Sequence, residues 1–190
     1  MKVVSKTAIA LALLGVAGGF AALQLILTEI KHYKEPGAAL SCDINPLVGC
    51  SNSLTSPQAH LLGIPNATVG LMAFSALLAF ALLAIFTPIP AWIWKIMVVP
   101  ALAGWVAVGT FLYFSVTIFH ALCPWCLVVW AVTIPIGALL LAKSAAAWST
   151  TNPVAIFLAK NWWAITALLY FTAIISIVVG MRTQLQLVLP

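Results

Sequence analysis

Charge is what this 190-residue chain has least of: three acidic and eight basic side chains make up 6% of it, where soluble domains carry about a quarter. A water-facing surface cannot be built from so few, so a soluble globule is excluded. The net charge of +5 does not imply nucleic acid either, because the cations are scattered among apolar runs and form no basic stripe. There is no internal repeat and no low-complexity tract. A small-residue cleavage site and a polar mature domain are also missing after the first apolar run, which therefore reads as a retained span and not as a removed signal peptide.

What fills the chain is apolar: 64% of its residues are hydrophobic. Runs long enough to cross a hydrocarbon core of ~30 Å cover about 7–27, 69–86, 96–119, 123–142 and 162–181. The expected fold is an all-α integral membrane protein organised as one membrane domain over 1–190. Spans one to four form a four-helix transmembrane bundle, a fifth transmembrane helix packs outside it, and a capping loop covers one end. With the N-terminus cytoplasmic, Lys2, Lys6, Lys95, Lys143 and Lys160 lie inside and only Lys31, Lys34 and Arg182 outside, as the positive-inside rule prefers. Glu29, Glu35 and Asp43 then all fall outside.

The outer loop, about 29–65, is long for a connection, and long loops in compact proteins are functional or disordered. Leu54, Leu61, Leu62 and Ile64 argue against disorder. Ser56 followed by Pro57 reads as an N-cap and first helical residue, giving a short helix from Pro57 to about Leu62. Asn66 reads as the cap of span two. Trp92 and Trp94 suit a membrane interface, Pro135 predicts a kink in span four, Val154 to Ala159 fit the interface, and residues from Thr183 onward form a short outer tail.

Four cysteines remain, in two pairs: Cys42 and Cys50 in the loop, and Cys123 and Cys126 around Pro124-Trp125 at the start of span four. Two crossings separate the pairs, and an even number returns the chain to the same side. Both pairs therefore face one compartment. With Cys123 as N-cap and Pro124 as first helical residue, Cys126 falls in the first turn, where free N–H groups and the positive helix end favour a thiolate. Three other readings stand beside a redox one: four thiolates on zinc, although seven residues between Cys42 and Cys50 are wide for a zinc knuckle; two structural disulfides; or inert reduced thiols. No metal is expected. The rival class is a non-catalytic membrane carrier or metal-binding protein, against which stands the lack of charge inside any predicted span. A carrier delivering reducing equivalents outward would need an inner-side cysteine, and the chain has none.

C-x7-C in the first outer loop, a serine six positions on (Ser56), an Asn66 turn before span two and CxxC opening span four together resemble the bacterial branch of the vitamin K epoxide reductase family, over roughly 42–141. The DsbB family does related chemistry with the order of the two pairs reversed. The resemblance implies a quinone-reducing protein-disulfide oxidoreductase of the bacterial inner membrane that supports disulfide bond formation. Electrons would pass from a DsbA-like or thioredoxin-like periplasmic dithiol protein to Cys42/Cys50, then to Cys123/Cys126, and finally to a membrane quinone, ubiquinone or menaquinone. Cys42 would meet the partner, Cys50 would link to Cys123, and Cys126 would react with quinone by attack or charge transfer. Ser56 and Asn66 would lie near the quinone carbonyl, although both also fit as helix caps. His60 is a proton-shuttle candidate that fits equally as a packed interfacial histidine. Trp130 stands where the vertebrate branch has a tyrosine; one turn from Cys126, it can stack on a quinone but supplies no hydroxyl, which favours a plain quinone over an epoxide. Many bacterial members fuse a thioredoxin-like domain after span five. This chain stops eight or nine residues past it, so the donor is expected in trans.

Overall fold

The computed structural model describes residues 5–35, 40, 42–45, 47–54 and 56–188. Lys2, parts of the predicted loop (36–39, 41, 46 and 55) and the end of the predicted tail (189–190) lie outside the described residues. The elements are α1 (Lys6–Lys34), α2 (Ser51–Leu54), a 3-10 turn (Pro57–His60), α3 (Asn66–Phe86), α4 (Ala91–Ile96), α5 (Val98–Phe114) with a π-turn (Ser115–Phe119), α6 (Pro124–Trp148), α7 (Pro153–Lys160), α8 (Trp162–Gly180) and α9 (Arg182–Val188). Five of these stretches are long and apolar enough to cross a membrane: α1, α3, α4 to the π-turn, α6 and α8. Helices are what such sequences must form, because a bilayer offers the backbone no other hydrogen-bond partner.

α6 is the central element, packing on α1, α5, α7, α8 and α4, while α1 pairs most extensively with α3. Without water between helices, association rests on close packing and small residues. Gly18 on α1 shows this: a Cβ there would lie 2.4 Å from Phe74 Cε1 of α3, so the ring packs directly on the α1 backbone. Gly137 on α6 likewise makes room for Trp105, whose Nε1 donates to the Ile134 carbonyl at 3.1 Å. Pro135 stands inside α6 and has no N–H to give the carbonyl four residues back. That carbonyl belongs to Ala131, and it accepts instead from the Tyr170 hydroxyl of α8. The fifth crossing helix is thus tied to the bundle at the place where the proline leaves an acceptor free.

Several boundaries differ from those expected of the sequence. The polar residues from Glu29 on, assigned to the loop, continue α1 to Lys34; a 29-residue helix is about 44 Å long and extends past the hydrocarbon. Glu29 thus lies on a crossing helix, as do Lys31 and Lys34 on α1, Lys95 on α4 and Lys143 on α6, contrary to the expectation that no span holds an ionisable residue of this kind. α6 runs six residues past Ala142. Residues 182–188, expected as a tail, are helical. Asn66 is the first residue of α3 rather than its cap, which is Pro65. Val154 to Ala159 fall within the short helix α7. At the end of the bundle far from the cysteines, Lys95 lies over the Trp148 ring at 5.3 Å and Lys143 over Trp94 at 5.9 Å, pairs favoured by cation–π attraction.

Candidate functional site

The loop is held against the start of α6 by backbone hydrogen bonds. Leu122 N–H donates to the Leu47 carbonyl at 2.8 Å, and Gly49 N–H donates to the Leu122 carbonyl at 3.1 Å. Leu122 immediately precedes Cys123, as Gly49 precedes Cys50, so this pairing sets the two cysteines side by side. The turn feeding it is closed by Asn45, whose Oδ1 accepts from Leu47 and Val48 N–H, both at 2.9 Å, an Asx arrangement in which the side chain replaces a backbone acceptor.

A second clamp is Asp43. Its Oδ1 accepts from Cys50 N–H at 2.6 Å and Ser51 N–H at 3.2 Å, and its other oxygen accepts from the Ser51 hydroxyl. Burial pushes this carboxyl up, but the hydrogen bonds from Ser51 and Cys50, helped by His32, hold it below the ordinary aspartate value. The carboxylate thus closes the first turn of α2, where free N–H groups attract negative charge. A Cβ at Gly49 would lie 2.8 Å from Asp43 Oδ1, so glycine is what lets the acid approach.

These contacts bring all four cysteines together. Cys42 and Cys50 are joined in a disulfide. Cys123 and Cys126 are free thiols. Cys50 Sγ lies 3.2 Å from Cys123 Sγ, and both residues are buried, at 0% and 3% exposure. Cys123 is the N-cap of α6 with Pro124 first in the helix, as expected, and its sulfur closes no cap hydrogen bond.

Beside the thiols lies a cavity of about 120 Å³. Ala22, Leu25, Leu54, Ala67 and Val129 give it an apolar wall, Cys123 and Cys126 open onto it, and Glu29, Ser53, Gln58, Asn66 and Ser115 are its polar members. The π-turn supplies Ser115 and Phe119, and it ends at His120 with φ of 50°, the left-handed conformation that turns the chain sharply toward Cys123. Widened helical turns of this kind often mark functional sites.

The sequence-predicted residues divide at this cavity. Trp130, 7% exposed, lines it and packs with Cys126. Asn66 lines it too, and its side chain also ties the loop: Nδ2 donates to the Gln58 carbonyl at 2.6 Å and Oδ1 accepts from Leu61 N–H at 3.3 Å. Ser56, expected at the same ligand, is not in the wall. Its hydroxyl turns back to the Ser53 carbonyl at 2.7 Å, and Ser53 takes the place on the cavity. His60 forms a pair with Glu29, Nε2 to Oε1 at 2.9 Å. Glu29 and Asp43 went unrecognised in the sequence; an acid two residues past a 21-residue apolar run was the available signal for Glu29.

The family model of the vitamin K epoxide reductase family matches residues 9–141, more than half of the chain. The chain belongs to the vitamin K epoxide reductase family. It is therefore a multi-pass membrane thiol–disulfide oxidoreductase that uses quinone, and the matched segment contains every residue of the cysteine cluster and the cavity. A quinone head group is a flat apolar ring with two carbonyls. The cavity, about 120 Å³, is of the same order as the ~150 Å³ apolar cavity that accepts benzene, and Trp130, Val129 and Asn66 stand in its wall.

Proposed function

We propose that the protein oxidises the dithiol of a thioredoxin-fold partner outside the cytoplasm and passes the electrons to a membrane quinone. The observation that carries this reading is the 3.2 Å contact between Cys50 and Cys123, which makes one exchange path between the two pairs short and direct. In the proposed sequence the partner reduces Cys42–Cys50 by way of Cys42. Cys50 thiolate then attacks Cys123 of a closed Cys123–Cys126 disulfide and Cys126 leaves; Cys42 thiolate attacks Cys50 and Cys123 leaves. The result is a closed outer pair and a reduced inner pair, the arrangement in the structure. Two electrons and two protons have moved inward, and no atom is gained or lost.

When bound, the quinone supplies the acceptor for the last two electrons. Cys126 is the thiol that gives them, since it lies on the cavity with Trp130, while Cys123 closes the disulfide. Asn66 orients a carbonyl through its amide, and Trp130 presents its ring. Ubiquinone and menaquinone both fit this chemistry. The charge pattern supports an N-terminus in the cytoplasm and the cysteine end outside, with Lys95 and Lys143 at the opposite end of α6. The whole chain then acts as one membrane domain, with α8 held to α6 through Tyr170.

The test is quinone absorbance followed over time with purified protein in detergent and a reduced thioredoxin-fold donor. The expected result is stoichiometric loss of quinone absorbance as donor dithiol becomes disulfide. Donor oxidation without quinone consumption, or neither, would contradict the reading.

A further inference from the structure

We propose, resting on the quinone reading above, that Glu29 is the acid that hands protons to the quinone in the cavity and that His60 reloads it from the aqueous side. Glu29 is 6% exposed, lies inside a crossing helix and lines the cavity shared by Cys123, Cys126 and Asn66. Burying a carboxyl group is costly without a partner, so an acid held in the wall of a ligand cavity is a candidate for the chemistry done there. Its partner is His60 at 2.9 Å. The histidine side chain is 29% exposed against 7% for the glutamate, so the pair runs from solvent to cavity wall in two groups. A pair serving only to hold the loop would have no need to stand in that wall. The 3-10 turn that carries His60 is fixed by Asn66, which binds Gln58 and Leu61 on either side of it, so one turn links the asparagine and the proton path.

The proton count gives the pair its task. Oxidation of Cys123 and Cys126 forms one S–S bond and releases two electrons and two protons; conversion of quinone to quinol takes up the same numbers. Glu29 in its protonated form gives a proton to one quinone oxygen, is re-protonated from water through His60, and gives a second proton to the other oxygen. The two thiol protons pass to water, so dithiol and quinone become disulfide and quinol with two protons taken up and two released. The ionisable groups near Glu29 are few. α2 and α3 contain none, the 3-10 turn contributes His60, α6 contributes the two cysteines, and α1 continues with Lys31, His32, Tyr33 and Lys34.

The experiment compares wild type, Glu29→Gln and His60→Gln in quinol formation from a small dithiol that reduces Cys123/Cys126 directly, across pH and in D2O. Glutamine keeps the shape at position 29 but has no acidic proton to give. General acid catalysis contributes about 10²–10⁴-fold, so Glu29→Gln is expected to lower kcat about 100-fold with the quinone KM little changed. Its solvent isotope effect should rise, and formate should restore part of the rate. His60→Gln is expected to lower kcat less and to remove a limb of the pH profile. Reduction of Cys42–Cys50 by the protein donor, read by alkylation, should be normal in both and reports folding. A kcat for Glu29→Gln within twofold of wild type, or a loss confined to KM, would overturn the proposal. If Glu29→Gln does not fold, an unchanged pH profile and isotope effect in His60→Gln would overturn it. Failure of wild type itself to consume quinone would instead bring down the reading on which it rests.

Discussion

Cys126→Ser and Cys123→Ser are each expected to bring quinone reduction down to the uncatalysed background with every donor, whereas Cys42→Ser is expected to abolish it only with a protein donor. The difference follows from position. Cys126 opens onto the cavity, and a hydroxyl in its place is no thiolate and cannot form a disulfide. In the proposed relay Cys123 both receives electrons from Cys50, 3.2 Å away, and closes the bond with Cys126. Cys42 is joined to Cys50 and has no part in the cavity wall, so a small dithiol that reaches the inner pair directly should bypass it. The check is quinone absorbance with two donors, one protein and one small molecule. Equal loss in all three variants with the small dithiol would contradict a relay of two pairs.

The second large effect is expected of Asp43→Ala. One carboxylate receives the N–H groups of Cys50 and Ser51 and the Ser51 hydroxyl, and Cys50 must stay within reach of Cys123. A displacement of about 1 Å between reacting groups can cost about 100-fold. Turnover with the protein donor should fall by that order, while turnover with the small dithiol is spared. The pH dependence has a definite sign. Because the folded-state pKa of Asp43 is depressed, its contribution to holding the loop is fully present above the unfolded aspartate value of about 3.9, and is lost as pH falls through the lower folded value. Protection of the loop from pepsin should thus persist at pH 4 and above in wild type and fall in stronger acid, and in Asp43→Ala it should be weak throughout.

The crossing helices were legible because a bilayer demands long apolar helices and little else; runs such as 162–181 have hardly another way to fold. The meeting of the cysteine pairs was legible in part, since span parity put Cys50 and Cys123 on one side, but parity says nothing of distance. That depended on Leu47, Gly49 and Leu122, whose backbone groups do the pairing and whose side chains give no sign of it. Glu29 is hard to place from the sequence because a charge ordinarily ends a span, whereas α1 carries the acid on into the cavity wall with His60 as its partner. Ser56 stands off the cavity wall for a local reason: its hydroxyl donates to the Ser53 carbonyl, and Ser53 lies on the cavity. Contacts between distant segments decide both, and no single-segment pattern encodes them.

The most direct test of the relay is to leave only Cys50 and Cys123 in the protein, as Cys42→Ser with Cys126→Ser, oxidise it mildly and map disulfides by mass spectrometry of its peptides. The account predicts rapid, intramolecular Cys50–Cys123 linkage, with the control that leaves Cys50 and Cys126 linking far more slowly. If Cys50 and Cys123 both remained open to alkylation after oxidation, or linked only between molecules, electrons would not pass between the pairs by this contact and the central claim would fail.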